Sequence, residues 1–148
     1  MKATFIMLLV LLVVTSCDKT TTRAQYIESE EFKKLNLPFS EAVTYGNIIY
    51  VSGQVGDLPN TDQLIEGGIV PETNQAMKNI QQILLENGSS LEQVIKCTCM
   101  LADINEWAQM SAEYIKFFPN HKPARSAFGT TGLAIGARVE IECMAYIN

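Results

Sequence analysis

Hydrophobic positions change their period several times along the chain, and each change marks an element. Asn47-Ile-Ile-Tyr-Val51 is a β-prone run preceded by the turn pair Tyr45-Gly46, and Val43 to Tyr45 can form the other arm of a tight hairpin. Ser52-Gly53-Gln54 closes that strand with a glycine, where backbone can approach a neighbour or ligand closely. Asp57 to Gly68 is rich in Asp, Asn, Pro and Gly and predicts a loop. The spacing then predicts a helix from Pro71 to Asn87, with Ala76, Met77, Ile80, Ile83 and Leu84 on one stripe and Gly88 as its stop. Ser90 to Gln93 has capping-box spacing and adds one further turn before a strand from Val94 to Ala102. Asp103 to Glu106 repeats the capping spacing. Trp107, Met110, Tyr114 and Phe118 then recur at helical intervals, which predicts a second amphipathic helix from Asn105 to Phe117, ended by Pro119. Ala124 to Thr130 and Arg138 to Ile147 are two closing strands joined through a turn from Thr131 to Gly136.

This order of strands, helix, strand, helix and strands is an α+β arrangement. Two helices of this size cover only one face of a five- or six-stranded sheet. A chain of 148 residues has nothing left to close the other face, so a homo-oligomer is expected.

The amino terminus follows a different pattern. Met1-Lys2 is a short basic start, and an apolar run from Ala3 to Val14 is interrupted only by Thr4. It is shorter than the roughly twenty residues that span a bilayer and suits the core of a signal peptide. Val14-Thr15-Ser16-Cys17 resembles a bacterial lipobox, in which the cysteine is acylated and becomes the mature terminus. The expected organisation is therefore a lipoprotein signal over 1–17, a polar tether over 18–25 and one folded domain over 26–148. Such a protein is exported and held to the bacterial envelope by its lipid alone.

Composition narrows the partners. The whole chain carries a formal net charge of −5, and removal of Lys2 with the leader makes the remainder one unit more negative. An acidic domain repels phosphate backbones, which argues against nucleic acid and for a small molecule. Of the four cysteines, Cys17 belongs to the anchor, leaving Cys97, Cys99 and Cys143. Cys97 and Cys99 face one side of their strand, with Thr98 opposite. They are read as buried small hydrophobes, the other reading being a disulfide from Cys143 to one of them. His121 is the single histidine, so no Cys/His set with zinc spacing exists and no metal is expected.

The last strand alternates. Val139, Ile141 and Cys143 face one way, while Arg138, Glu140 and Glu142 face the other. If the helices cover the apolar side, both carboxylates point at the face assigned to subunit contacts, where acidic groups should be paired or functional. Arg125, in the neighbouring closing strand, is a plausible partner. Its guanidinium offers a bidentate grip on a substrate carboxylate, and a carboxylate nearby can orient or deprotonate a water. The competing reading is a partly buried interface salt bridge. No phosphate loop and no hydroxyl or thiol nucleophile with a histidine partner is evident.

Asn47-Ile-Ile-Tyr-Val-Ser-Gly-Gln54, Gly67-Gly68, Asn79-Ile80, Ile83-Leu84, Lys122-Pro-Ala-Arg-Ser126 and Val139-Glu-Ile-Glu142 occur in an order that resembles the reactive intermediate deaminase (Rid/YjgF) family. The resemblance runs from about Tyr26 to Ile147. It implies a chorismate-mutase-like α+β fold and a homotrimer, with a central barrel, helices outside and clefts between subunits. It implies cofactor-independent hydrolysis of 2-imino acids of the 2-iminopropanoate and 2-iminobutanoate type to 2-oxo acids and ammonia. Arg125 matches the family's carboxylate-binding arginine, Glu140 the glutamate that positions water, and Ser52 and Gly53 positions lining the cleft. Three positions depart from the family: its cleft tyrosine is Phe39, an asparagine of its second helix is Ser111, and a cysteine two residues after the arginine is Ala127. With Phe39 in place of that tyrosine, the hydroxyl is absent, which would favour a more apolar ligand side chain.

Two alternatives to hydrolysis are open. One is non-catalytic binding of small carboxylates, for sensing or scavenging; the other is the ribonuclease activity ascribed to some relatives, which the acidic charge and single histidine disfavour. His121 is expected to be exposed in a Pro-flanked loop, Trp107 to belong to the core stripe, and Ser126 to be structural for want of a base.

Overall fold

The computed structural model describes residues 23–59, 61 and 63–148; the leader, Cys17 and most of the tether lie outside them. One six-stranded sheet organises the chain. Its strands are β1 (Gln25–Ile27), β2 (Ala42–Tyr45), β3 (Ile48–Gln54), β4 (Val94–Leu101), β5 (Ala124–Gly129) and β6 (Val139–Tyr146), in the order β1-β2-β3-β6-β4-β5. β4 and β5 run parallel, and all other neighbours are antiparallel. Between the strands lie α1 (Glu30–Leu35), α2 (Ile69–Glu86) and α3 (Trp107–Tyr114).

The final strand enters the middle of the sheet, between β3 and β4. Its inward residues Val139, Ile141, Cys143 and Ala145 are buried beside Ile49 and Val51 of β3 and Cys97, Cys99 and Leu101 of β4. The stripe predicted for the first helix, Ala76 to Leu84, covers them. Polar ties fix the helices to this layer. The buried Glu72 carboxylate accepts the Arg138 backbone N–H at 2.8 Å, and Asn74 on α2 donates to the buried Glu113 of α3 at 2.7 Å. Each deals with a carboxylate that would be costly to bury unpaired.

The boundaries differ from the sequence pattern in instructive ways. α2 starts at Ile69, because Gly68 at φ +85° supplies the turn and Pro71, in the first helical turn, needs no N–H partner. The predicted second helix is α only over Trp107–Tyr114, with 3-10 turns at Ile104–Glu106 and Ile115–Phe117. Gln25, assigned to the tether by its polarity, is the first residue of β1 and pairs with Thr44. α1 has no counterpart in the hydrophobic pattern because it buries no residue. Its signals are caps: the Ser29 hydroxyl accepts from the Phe32 N–H, Glu30 and Glu31 sit in the first turn, and Asn36 ends it at φ +50°.

Cys97 and Cys143 stand directly opposite on β4 and β6, with Cα atoms 4.2 Å apart, and form a disulfide. The reading of all three cysteines as unlinked hydrophobes therefore gives way to the disulfide alternative. A close antiparallel pair facing the same way brings the two Sγ atoms together, a proximity that depends on register. Cys99 remains a buried thiol, pushed up to about 11 by burial. Closing a loop of 46 residues stabilises the fold by about 2–4 kcal/mol. Reductant is therefore expected to lower the urea midpoint of the wild type and to leave a Cys97→Ala/Cys143→Ala variant unmoved.

Candidate active site

The predicted site residues fall into two groups. The first surrounds Arg125. β5 carries it in register with Cys97 of β4, which is itself opposite Cys143 of β6, so all three side chains point toward the helices. There the guanidinium meets α3: Cζ lies 4.9 Å from the Tyr114 ring centroid and 5.3 Å from that of Trp107. Nη2 donates to Ser111 Oγ at 3.0 Å, and Nη1 lies 4.0 Å from Met110 Sδ. Positions 107, 110, 111 and 114 share one helical face, which is why these groups converge on one cation. Among the described residues no carboxylate forms an ion pair with Arg125. Its charge is offset by ring quadrupoles and a hydroxyl, which leaves N–H donors free for an anion.

The second group surrounds Glu140. This side chain is in register with Met100, which is in turn opposite Phe128, so the row points to the face without helices. A bulge in β3 between Val51 and Gln54 sets Ser52 and Gly53 against it. A Cβ at Gly53 would overlap the Glu140 side chain and lie 2.8 Å from its Cδ. Ser52 donates its hydroxyl to the Ser40 carbonyl at 2.7 Å and its N–H to the Glu41 carbonyl at 3.1 Å, which pins the Phe39–Ser40 segment beside the bulge. Phe39 is half exposed and meets Phe32 edge-on at 5.8 Å. Burial and then the neighbouring Glu142 hold the Glu140 carboxyl above the ordinary glutamate value.

Phe39, Ser52, Gly53 and Glu140 are thus assembled together, as are Arg125 and Ser111. The two groups do not meet within one chain. β5 is not the neighbour of β6, since β4 lies between them, and Arg125 and Glu140 point to opposite faces. The expectation that they share a face is corrected: Arg125 has the parity of the buried row. Trp107 is corrected too. The other members of its stripe are core, but Trp107 is 44% exposed and lies against the guanidinium. His121 is half buried and pairs with Glu92 at 3.2 Å, where an exposed side chain was expected. Ser126 receives a hydrogen bond from Lys96 at 2.8 Å on the open face.

The profile of the endoribonuclease L-PSP family matches residues 32–147, which includes both groups. The chain belongs to this family, the one also called YjgF or Rid. Among its relatives, the mouse 2-iminobutanoate/2-iminopropanoate deaminase is 43% identical over 108 residues, covering 73% of this chain and 80% of that protein. The chloroplastic Reactive Intermediate Deaminase A of Arabidopsis thaliana is 31% identical over 130 residues, covering 88% and 70%. The crystal structure of RidA from the Antarctic bacterium Psychrobacter sp. PAMC 21119 superposes with a TM-score of 0.72 at 31% identity, covering 87% of this chain and all of that one. The single mixed sheet with few helices is therefore the family's α+β fold.

The Gly53 contact yields a test. Because the overlapping atoms belong to a flexible side chain, Gly53→Ala should cost about 1 kcal/mol or less while pushing the Glu140 carboxylate aside. Native Glu140 binds its proton more tightly than a free glutamate, so its carboxylate is lost at higher pH and the fold gains stability as pH falls through that pKa. Carboxyl NMR titration should show the Glu140 pKa dropping in Gly53→Ala toward the ordinary value; an unchanged titration would show that the alanine is accommodated elsewhere.

Proposed function

We propose that the protein hydrolyses 2-imino acids to 2-oxo acids and ammonia without a cofactor, in a cleft that two copies of the chain complete. The observation that carries this reading is an arginine held in place by neutral groups, with no carboxylate among the described residues spending its charge. Arg125 grips the substrate carboxylate with its free N–H edge. Glu140 holds the attacking water and takes a proton from it as oxygen adds to the iminium carbon. That proton then moves to nitrogen; as the C–N bond breaks, the hydroxyl gives its proton through Glu140 to the departing ammonia, so one water and one iminium become one ketone and one ammonium. A protonated imine is already electrophilic, so holding and aiming account for most of the work.

Because the two groups lie on opposite faces of one sheet, Arg125 of one protomer must approach Glu140, Ser52, Gly53 and Phe39 of the next. A homotrimer with a central barrel supplies that arrangement and covers the half-exposed Tyr50, Phe128 and Tyr146 of the sheet. Relatives that carry the deaminase name at 41–43% identity support the same chemistry. Phe39 favours a second reading, a cleft that binds 2-oxo acids without turnover, since it lacks a hydroxyl to hold substrate or water. The chain as a whole is proposed to be an exported lipoprotein anchored through Cys17.

With imines generated in situ by an amino-acid oxidase, the full chain should accelerate 2-oxo acid release. Arg125→Ala should lower kcat/KM about a hundredfold and Glu140→Gln by a comparable factor. The acid limb of the rate should lie above pH 4.5, the direction in which Glu140 is displaced. Wild-type protein that gives no gain over buffer yet shows saturable, Arg125-dependent heat with 2-oxo acids would select the binding reading. Separately, Cys17→Ala should move the protein from the membrane to the soluble fraction of expressing cells.

A further inference from the structure

We infer that Trp107 is a specificity-determining residue of the Arg125 site, its exposed indole selecting carboxylates that carry an aromatic side chain. This rests on the carboxylate grip proposed above. The two rings beside the guanidinium are in different situations. Tyr114 is 4% exposed and spends its other contacts on the core, tilted against Phe118 at 4.9 Å. Trp107, the first residue of α3, leaves 44% of its surface to solvent. Such a ring has area to bury against a ligand.

Geometry places that area where the ligand's side chain must go. The indole centroid is 5.3 Å from Cζ of Arg125, whose Nη2 is already committed to Ser111. A carboxylate accepting N–H bonds at about 2.8 Å brings the carbon chain behind it within a side chain's length of the indole. Ile104, one turn earlier and 49% exposed, extends the apolar surface; it packs closely under the end of β5, where a Cβ on Gly129 would lie 3.1 Å from it. The methyl or ethyl tail of a small 2-oxo acid covers little of this surface. A phenyl ring covers much of it and adds an aromatic contact. The ligand class is accordingly 2-imino and 2-oxo acids with an aromatic side chain. The acid neutralises the cation while its ring packs against the solvent-exposed part of the indole.

Trp107 is the chain's single tryptophan, so its emission reports directly on the site. The test compares 2-oxo-4-phenylbutanoate with 2-oxobutanoate on the full chain, by calorimetry and by tryptophan emission. The wild type should bind the phenyl acid about tenfold tighter, with a change in emission on saturation. That ratio should collapse to about twofold or less in Trp107→Ala and persist in Trp107→Phe, which keeps a ring beside the guanidinium. A wild-type ratio near one overturns the inference. So does a ratio that survives Trp107→Ala, above all if it disappears in Phe39→Ala. Failure of the underlying grip looks different, with neither acid binding or Arg125→Ala binding both as the wild type does.

Discussion

The central position of β6 constrains everything else in this molecule. A strand flanked on both sides by hydrogen-bonded neighbours cannot rotate, so alternate side chains are committed to opposite faces of the sheet. Val139, Ile141, Cys143 and Ala145 go under the helices and are almost completely buried. Glu140 and Glu142 are thereby held on the other face, at the cost of two like charges on one strand. The missing Cβ of Gly53 and the β3 bulge give Glu140 room on that face, partly out of water, which is why its proton is held more tightly than usual.

Arg125 obeys the same alternation from the edge of the sheet. Its register with Cys97 sends a charged side chain to the covered face, where an unpaired charge would ordinarily be expelled or neutralised. An acidic partner would have consumed both the charge and the donors. Instead α3 offers two rings, a thioether and one hydroxyl, which steady the guanidinium without cancelling it. An arginine left with its charge and an arginine paired on the protein differ in just this respect. Arg138 shows the contrast, since its guanidinium is clasped by Glu106 on the protein itself.

Much of this could be read from residue order. The stripe of α2, the alternation of β6, the burial of Cys97 and Cys99 on one side, and Met110, Tyr114 and Phe118 of the stripe around α3 follow from local period, and the structure keeps them. The capped α1 was equally legible through Ser29, Glu30 and Asn36 but carries no apolar stripe to draw attention. Candidate chemistry was legible as residue type: an arginine and a glutamate suited to one small carboxylate. Their relation was not. Placing Arg125 and Glu140 together required that β5 border β6, whereas β4 separates them.

The sequence by itself therefore determined the four later strands, the short hairpin arm before them and the two longer helices, and the alternation of side chains along each strand, because these follow from dihedral geometry acting over a few residues. Only the tertiary structure decided that β6 lies inside the sheet, that Cys143 meets Cys97 and not Cys99, that Trp107 lies against a cation instead of the core, and that Arg125 and Glu140 face apart. Strand order and register are choices between distant segments, settled by how the whole apolar surface is buried. Period along the chain carries no record of which segment becomes the neighbour of which.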